Sequence, residues 1–319
     1  MRIDIPLKKV VICYVNSDWH LTKSDAFFKS VINPLKKFFT VYVKKFNLAR
    51  FSEVRDTYII FLFIPIYMRN YEKVREHISS NENNNTYFLV PMWDWVNAWN
   101  MNTWELIPKN MKIISFCERL YLLLKKYRYK NVLYVQYFHQ QYDPVNFSGG
   151  RILSYWNRTN LYSKEFLLRL CEVLNIEKFL YLEKLDPRHE KMFELPNKYN
   201  KTKIITYCGW NSRREYHNIL RVSNIFLCPR LREGIGLSFI EQLSRGSVCF
   251  AVNESTMNEY IKHKETGYLF NTLHPDGIDW NEIQSLNIEK LSRNTLSFAV
   301  SGYNMWNLYE SRLANFIEE

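Results

Sequence analysis

Glycine and proline are scarce in this sequence. Among 319 residues there are only 9 glycines and 10 prolines. Because long disordered segments are usually rich in these residues, their scarcity argues against such segments here. Hydrophobic residues make up 47% of the chain, which at this length is enough for the cores of two compact domains.

Long hydrophobic runs and paired cysteines are also missing. The longest apolar run, Tyr58 to Met68, is far shorter than the ~20 residues that a membrane-spanning helix needs. The charged start, Met1 to Lys9, is unlike a signal peptide. The six cysteines form no C-x-x-C pair, so free thiols in a reducing compartment are expected, without a zinc site. The sequence predicts a cytoplasmic protein, with peripheral membrane contact left open.

Positive charge exceeds negative charge. There are 43 Lys and Arg residues against 32 Asp and Glu residues, which gives a net charge of +11. A basic protein attracts anions, such as nucleotide phosphates, nucleic acid or an anionic membrane surface. The charge alone does not choose among these, and solubility combined with a composition rich in Lys and Asn is an equal alternative.

Short apolar runs alternate with helical patterns along the chain. Clear strand patterns are Lys8 to Val15, Tyr58 to Ile66 and Val248 to Val252. Apolar strands separated by helices predict parallel sheets that are covered on both faces. A break at Gln140 to Gly150, which contains the only Gly-Gly pair, predicts a hinge.

The predicted fold is α/β, with two Rossmann-like domains whose parallel sheets face a central cleft. The N-terminal domain spans residues 1–147 and the second domain spans residues 148–300. Residues 301–319 are expected to form a helix that crosses back to the first domain. Ligands of such sheets bind beyond the carboxyl ends of the strands, so the cleft is the expected site.

One segment carries a pattern typical of anion binding. After the apolar run Ile225 to Cys228 comes Glu-Gly-Ile-Gly at 233–236, and a helix is expected to start at Leu237 or Ser238. A glycine-bearing loop that leads into a helix presents free backbone N–H groups, and the helix dipole favours an anion there. Taken alone, Glu241 inside this helix would be a solvated surface residue.

The longer sequence pattern around Glu241 favours a binding role for this residue over a solvated surface position. Glu241 stands eight residues after Glu233, and the stretch continues with Asn258-Glu259-Tyr260 and Thr266-Gly267-Tyr268. This pattern resembles the retaining GT-B glycosyltransferases of family 4 type (glycosyl transferases group 1), whose hallmark is the Glu-x(7)-Glu pair. The resemblance covers residues 209–270 closely and the remainder in outline. It implies that a sugar is transferred from a nucleotide-diphosphate sugar with retention of configuration.

The resemblance implies roles for individual residues. Glu241 would accept hydrogen bonds from the ribose hydroxyls of the donor, and Glu233 would contact hydroxyls of the donor sugar. Glu259 would support the loop over the sugar, with a simple helix N-terminal carboxylate as the alternative. The other donor-binding candidates are Gly209, Trp210, Gly234, Ile235, Gly236, Leu237 and Ser238, with a core position as the alternative for Trp210. Arg230 is a further candidate as a nearby cation, with surface solubility as its alternative.

Members of this family place an arginine and a lysine on the diphosphate, and Arg158 and Lys164 are the matching residues. The family spacing between the two is commonly one residue shorter. Fixed cations stabilise the charge that the leaving diphosphate gains as the glycosidic bond breaks. The sequence has no Asp-x-Asp motif, so neither a metal nor another cofactor is expected.

The first domain departs from the family pattern. Asn16 to His20 stands where relatives carry a Gly-Gly loop, and Pro91 to Trp95 stands where they carry a histidine. Asp18, Trp93 and Asp94 are therefore candidates for acceptor or sugar binding, because carboxylates accept from sugar hydroxyls and tryptophan faces suit apolar sugar faces. Core packing is an equal alternative for the tryptophan.

The predicted function is a retaining, metal-independent transferase that acts on a hydroxyl of a glycan or a lipid-linked oligosaccharide. Three alternatives stay open: nucleic acid as the acceptor, a non-transferase sugar-nucleotide enzyme, and a non-catalytic binding module. The basic residues are dispersed and form no known DNA-reading motif, which argues against nucleic acid.

Overall fold

The chain divides into two compact units. Unit 1 comprises residues 1–137 and 306–319, and unit 2 comprises residues 138–305. The division falls at 137/138, whereas the sequence places it at 147/148. The computed structural model describes residues 10–15, 32–47, 49, 51, 59–62, 68, 71–79, 85–187, 189–209 and 212–318.

Unit 1 contains a six-stranded sheet whose pairings are all parallel, in the order β2-β1-β3-β4-β5-β6. Its strands are β1 (Val10–Val15), β2 (Thr40–Lys45), β3 (Ile59–Leu62), β4 (Thr86–Leu89), β5 (Lys112–Ser115) and β6 (Val132–Tyr134). Its described helices before residue 137 are α1 (Asn33–Lys36), α2 (Tyr71–Ser79), α3 (Trp93–Val96), α4 (Met101–Glu105) and α5 (Glu118–Lys126).

Unit 2 contains a seven-stranded sheet in the order β13-β12-β11-β7-β8-β10-β9, parallel except at the β9–β10 edge. Its strands are β7 (Ile152–Asn157), β8 (Lys178–Glu183), β9 (Lys198–Tyr199), β10 (Thr202–Tyr207), β11 (Ile225–Leu227), β12 (Val248–Val252) and β13 (Gly267–Phe270). Its α-helices are α6 (Lys164–Val173), α7 (Arg213–Arg221), α8 (Leu237–Leu243), α9 (Met257–Tyr260), α10 (Trp280–Gln284) and the first part of α11 (Ile288–Glu318).

The sequence explains why these elements form. Every residue of β11 and β12 is buried, as expected of apolar strands in a sheet that is covered on both faces. Helix α6 begins after Ser163, whose hydroxyl accepts a hydrogen bond from the Phe166 amide at 3.2 Å. The buried side of α6, which includes Phe166 and Leu170, repeats at the spacing of an amphipathic helix.

The long C-terminal helix α11 belongs to both units, because its last turns group with unit 1. In unit 1, the ring of Trp306 packs on Tyr137 with 4.9 Å between the centroids. The Lys112 ammonium donates to the carbonyl oxygen of Phe316 at 2.9 Å. Within the part of the chain that the structure describes, no helix combines the length and the apolar character needed to cross a lipid bilayer.

Most predicted elements match the observed ones closely. The parallel sheets are present, and β12 has the predicted bounds. Residues 24–39 have the apolar spacing of a helix. Residues 24–31 lie outside the described part of the chain, and residues 32–39 contain α1. Sequence analysis did not predict the two-residue antiparallel strand β9, because two residues carry no hydrophobic periodicity.

The predicted hinge segment, residues 140–150, is tied to unit 2 by hydrogen bonds from the buried side chain of Asn224. The Asn224 side chain, 1% exposed, donates to the carbonyl oxygens of Asn146 at 3.0 Å and Gly150 at 2.8 Å. Its own oxygen accepts from the Ile152 amide at 2.9 Å. The Val145 amide also donates to the Arg245 carbonyl at 2.9 Å. These bonds explain why the division falls before this segment.

Asn224→Ala removes one buried and two partly buried hydrogen bonds, and leaves two carbonyl groups and one amide without this partner. We expect the free energy of unfolding to fall by about 2–3 kcal/mol, measured by urea denaturation followed by circular dichroism. Asn218→Ala on the exposed face of α7 is the matched control. Equal stability of the two variants would show that Asn224 does not fix this segment.

Candidate active site

Charged residues from three separate loops meet at the carboxyl edge of the unit 2 sheet. Arg158 follows β7, Asp186 follows β8, and both Arg230 and Glu233 follow β11. Because β7 pairs in parallel with both β8 and β11, these loops leave the sheet at the same edge. Loops at this edge are where α/β sheets bind ligands.

These four residues form an arginine–carboxylate cluster. Arg158 donates from Nε and Nη2 to Asp186 Oδ1, at 3.1 and 3.0 Å. Arg230 Nη2 donates to the other oxygen, Asp186 Oδ2, at 2.5 Å. Glu233, 7% exposed, lies beside both guanidinium groups, with 3.9 Å from Oε1 to Arg158 Nη1 and from Oε2 to Arg230 Nη1.

Neighbouring side chains fix the Arg158 guanidinium in place. Its carbon lies 4.4 Å from the centre of the Trp156 ring, a cation–π contact. The Trp156 indole N–H donates to the Lys184 carbonyl at 2.9 Å, and the Asp186 amide donates to the Arg158 carbonyl at 2.8 Å. Buried Asn157 holds the turn by accepting from the Asn160 amide at 3.0 Å. The loops after β7 and β8 are therefore joined.

The loop at 233–236 has a conformation that requires glycine at its end. Gly236 lies at the N-terminus of α8 with φ of +74° and ψ of +50°, a left-handed conformation that residues with a Cβ rarely adopt. A Cβ at this position would also collide with the ring of Phe239. The Thr256 hydroxyl supports the loop by donating to the Glu233 carbonyl at 2.7 Å.

A second group of side chains surrounds Glu241, which is 3% exposed on α8. His217 Nδ1 lies 4.0 Å from Glu241 Oε2. Burial and the negative charge of Glu241 raise the pKa of Tyr142 to about 12, against the opposing effect of Arg245. Arg245 stacks on the Tyr142 ring at 4.4 Å. The Tyr142 hydroxyl keeps its proton at neutral pH because burial and Glu241 outweigh the lowering effect of this cation on its pKa.

The remaining predicted residues of unit 2 lie in its loops and in helices α6, α8 and α9. Lys164 is half-buried in the first turn of α6, and no ion pair among the described residues joins it to the arginine–carboxylate cluster. Gly209 follows β10 with φ of +99°. Glu259 is half-buried in α9. The other residues with predicted roles are half-buried Leu237 and Ser238 and buried Gly234 and Ile235.

The acceptor candidates belong to unit 1 or lie outside the described residues. Trp93 is 4% exposed in α3, with the Arg119 guanidinium 5.4 Å from its ring, which supports core packing as its role. Asp94 is half-buried in the same helix. Asp18 and the donor-binding candidate Trp210 both lie outside the described residues.

Sequence analysis overlooked Asp186 and His217. Phe179 to Leu182 is an apolar run typical of a strand, and the rule that ligands bind beyond strand ends points to the residues after it. This signal could have identified Asp186. His217 lies inside a helix, and nothing in the local sequence indicates that it approaches Glu241.

Among the described residues, this site has no cysteine suited to nucleophilic attack and no group of metal-binding side chains. Burial raises the pKa of Cys228 well above its usual range, and nearby Cys249 and Glu233 add to this shift. Cys228 is therefore not a thiolate nucleophile at neutral pH. Among the residues that the structure describes, no three His, Cys, Asp or Glu side chains are grouped to hold a metal ion. Metal independence stays a prediction.

A family model matches a large part of unit 2. Residues 186–296 match the family model described as glycosyl transferases group 1. This stretch is the group 1 segment of the chain: it is similar to that family, begins at Asp186 and includes Arg230, Glu233 and Glu241. Arg158 and Lys164 lie before it. The predicted resemblance to group 1 glycosyl transferases is confirmed for this segment, and retention of configuration stays a prediction.

The chain also has a curated relative that matches part of its length. The chain is 30% identical over 119 residues to the UDP-Gal:alpha-D-GlcNAc-diphosphoundecaprenol alpha-1,3-galactosyltransferase of Escherichia coli. The match covers 33% of this chain and 28% of the relative. The chain therefore spans less than a third of the length of this relative.

Solved structures resemble nearly the whole chain. HepE of Anabaena, in complex with UDP and glucose, matches with a TM-score of 0.64 and 9% identity, over 96% of this chain and all of that one. The apo form of the lipopolysaccharide outer core galactosyltransferase WaaB matches with a TM-score of 0.62 and 10% identity, over 98% of this chain and all of that one. At such low identity these likenesses show the fold alone, and they confirm the predicted GT-B fold.

Gly236→Ala places a Cβ against the Phe239 ring and forces a left-handed backbone on alanine. We expect the melting temperature to fall, with a loss of about 1–3 kcal/mol in the free energy of unfolding. Gly149→Ala is the control, because no heavy atom lies within 4 Å of its added Cβ. An unchanged melting temperature in Gly236→Ala would contradict the proposed constraint on this loop.

Proposed function

We propose that the protein is a retaining glycosyltransferase. It moves a sugar from a nucleotide-diphosphate sugar to a hydroxyl group of a glycan or a lipid-linked oligosaccharide. The observation that carries this proposal is the convergence of Arg158, Arg230 and buried Glu233 at the carboxyl edge of unit 2. The glycosyl transferases group 1 match, which includes Arg230 and Glu233, supports it.

The two arginines suit the leaving group of this reaction. As the glycosidic bond breaks, negative charge develops on the nucleotide diphosphate. Guanidinium groups bind phosphate oxygens with paired N–H donors in fixed geometry. Stabilising charge that develops in the transition state is usually the largest catalytic effect, so Arg158 and Arg230 are the proposed electrostatic catalysts. Because these two residues can neutralise the diphosphate, the proposal includes metal independence.

The two glutamates suit the hydroxyl groups of the donor. Glu233 is buried beside the arginines and is proposed to accept from the donor sugar. Glu241 lies eight residues later on α8 with His217 near its carboxylate, and it is proposed to accept from the ribose. Because Glu233 lies in the loop and Glu241 lies in helix α8, the donor sugar and the ribose would each bind a different carboxylate.

Retention of configuration follows the mechanism that the family resemblance implies. The acceptor hydroxyl attacks from the face that the diphosphate leaves, and a phosphate oxygen takes its proton. The protein then needs no separate base. Positioning of the donor and stabilisation of the diphosphate contribute most of the rate enhancement.

The names of similar proteins support the donor and acceptor classes. The Escherichia coli relative uses UDP-Gal and acts on a diphosphoundecaprenol-linked sugar. The HepE structure contains UDP and glucose, and WaaB is a lipopolysaccharide outer core galactosyltransferase. We propose a UDP-sugar as the donor, a surface glycan or its lipid-linked precursor as the acceptor, and a cytoplasmic location with peripheral membrane contact.

The donor proposal predicts selective stabilisation by one nucleotide class. UDP-, GDP-, dTDP- and CMP-sugars are compared in a thermal-shift assay, and the UDP-sugars are expected to raise the melting temperature most. A ligand present at a hundredfold its Kd stabilises a protein by about 2.7 kcal/mol, which this assay resolves. If another nucleotide sugar gave the largest shift, its nucleotide would replace UDP in the proposal. If none of them shifted the melting temperature, the result would contradict the proposed function.

Glu233→Gln and Arg158→Gln test the catalytic assignment. Each is expected to lower kcat/KM for sugar transfer by at least about 100-fold, because each removes a charge at the reacting centre. The assay is run in EDTA, since metal independence is part of the proposal. Glu172→Gln is the control: Glu172 pairs with Arg169 at 2.7 Å on α6, and both side chains are largely exposed.

The melting temperatures of both variants must stay close to that of the wild type for this test to count. Full activity in either folded variant is incompatible with the assignment. Loss of wild-type activity in EDTA would overturn metal independence while leaving the roles of Glu233 and Arg158 to be judged from the variants.

A further inference from the structure

Asp186 bridges the two arginines of the arginine–carboxylate cluster. One of its oxygens accepts two N–H groups of Arg158, at 3.1 and 3.0 Å, and the other accepts from Arg230 at 2.5 Å. A carboxylate that receives donors from two guanidinium groups has the same hydrogen-bonding pattern as a phosphate between them. Asp186 therefore uses N–H groups that a bound phosphate would need.

The charge of the cluster leads to the same conclusion. Arg158 and Arg230 carry two positive charges, and Asp186 and Glu233 carry two negative charges, so the four side chains are formally neutral. A neutral cluster offers little attraction to an incoming anion. If the Asp186 carboxylate moves away, the two guanidinium groups regain an excess of positive charge over Glu233.

The surroundings of Asp186 permit such a movement. Its side chain is 20% exposed, so its carboxylate has access to water. Asp186 lies three residues beyond β8, and its backbone is held by a separate bond, from its amide to the Arg158 carbonyl at 2.8 Å. The side chain can therefore rotate away from the arginines while the backbone stays in place.

We propose that Asp186 is an internal anion that occupies Arg158 and Arg230 in the empty site, and that the donor diphosphate displaces its carboxylate on binding. This inference rests on the proposed function, because it takes the diphosphate as the ligand. Competition by Asp186 weakens the binding of the donor and of the nucleoside diphosphate product. It also keeps the guanidinium groups converged when no ligand is bound.

Asp186→Asn tests the competition, because it keeps the size of the side chain and removes its charge. UDP, inorganic pyrophosphate and uridine are titrated into the wild type and the variant by isothermal calorimetry. UDP and pyrophosphate are expected to bind the variant about fivefold to tenfold more tightly, the scale of one partly screened charge. Uridine has no phosphate, so its affinity is expected to be the same for both proteins.

Glu183→Gln is the matched control. Glu183 is the last residue of β8, and its carboxylate pairs with Lys191 at 3.1 Å. Among the described residues no ion pair joins Glu183 to Arg158 or Arg230. The substitution removes the same charge three residues away, and it is expected to leave all three affinities within twofold of the wild type.

The sign of the change decides the outcome. Equal or weaker binding of pyrophosphate and UDP by Asp186→Asn would mean that Asp186 only positions the arginines, and the proposal would be wrong. An equal gain in Glu183→Gln, or a gain for uridine, would also overturn it. Tighter pyrophosphate binding by Asp186→Asn, together with no melting-temperature shift from any nucleotide sugar in the thermal-shift assay, would support the arginine–Asp186 competition and defeat the proposed function.

Discussion

Every loop that carries a charged residue of the arginine–carboxylate cluster leaves the same edge of the unit 2 sheet, because β7, β8 and β11 pair in parallel. Residues as far apart in sequence as Arg158 and Glu233 meet for this reason. The buried strands hold the loop origins at fixed spacings, and side-chain contacts such as Trp156 with Arg158 then set the final positions. The positions of the charged residues are therefore set first by the strand pairing and then by individual side-chain contacts.

Two kinds of support hold the site. The loop that contains Gly236 is held by packing. Only glycine fits against the Phe239 ring in the left-handed conformation of residue 236. The arginines are fixed by charge, because burying a guanidinium group is costly unless carboxylates compensate it. The packing of Gly236 against Phe239 involves no charged group, whereas the Asp186 carboxylate is proposed to give way to another anion. Under that proposal, ligand binding replaces the contacts of the arginines and leaves those of Gly236 in place.

Sequence analysis identified the fold, the group 1 segment and the local motif, because each has a signal within a short stretch of chain. Glu233, Gly236 and Glu241 stand in one run of nine residues. The partnership of Asp186 with Arg158 and Arg230 has no such signal, since its members come from three loops. The pairing of His217 with Glu241 was missed for the same reason. The burial of Trp93 also depends on side chains that are distant in sequence, such as Arg119.

The short strand β9 has a consequence for the behaviour of the protein at high concentration. It pairs antiparallel with the start of β10, at Thr202 and Lys203, and the Ile204 amide donates to the Asn197 carbonyl at 2.9 Å. An uncovered edge strand is a template for strands of other molecules. Residues 197–199 occupy part of that edge, and Lys198 adds an exposed charge. This edge is thereby guarded against intermolecular β-sheet aggregation.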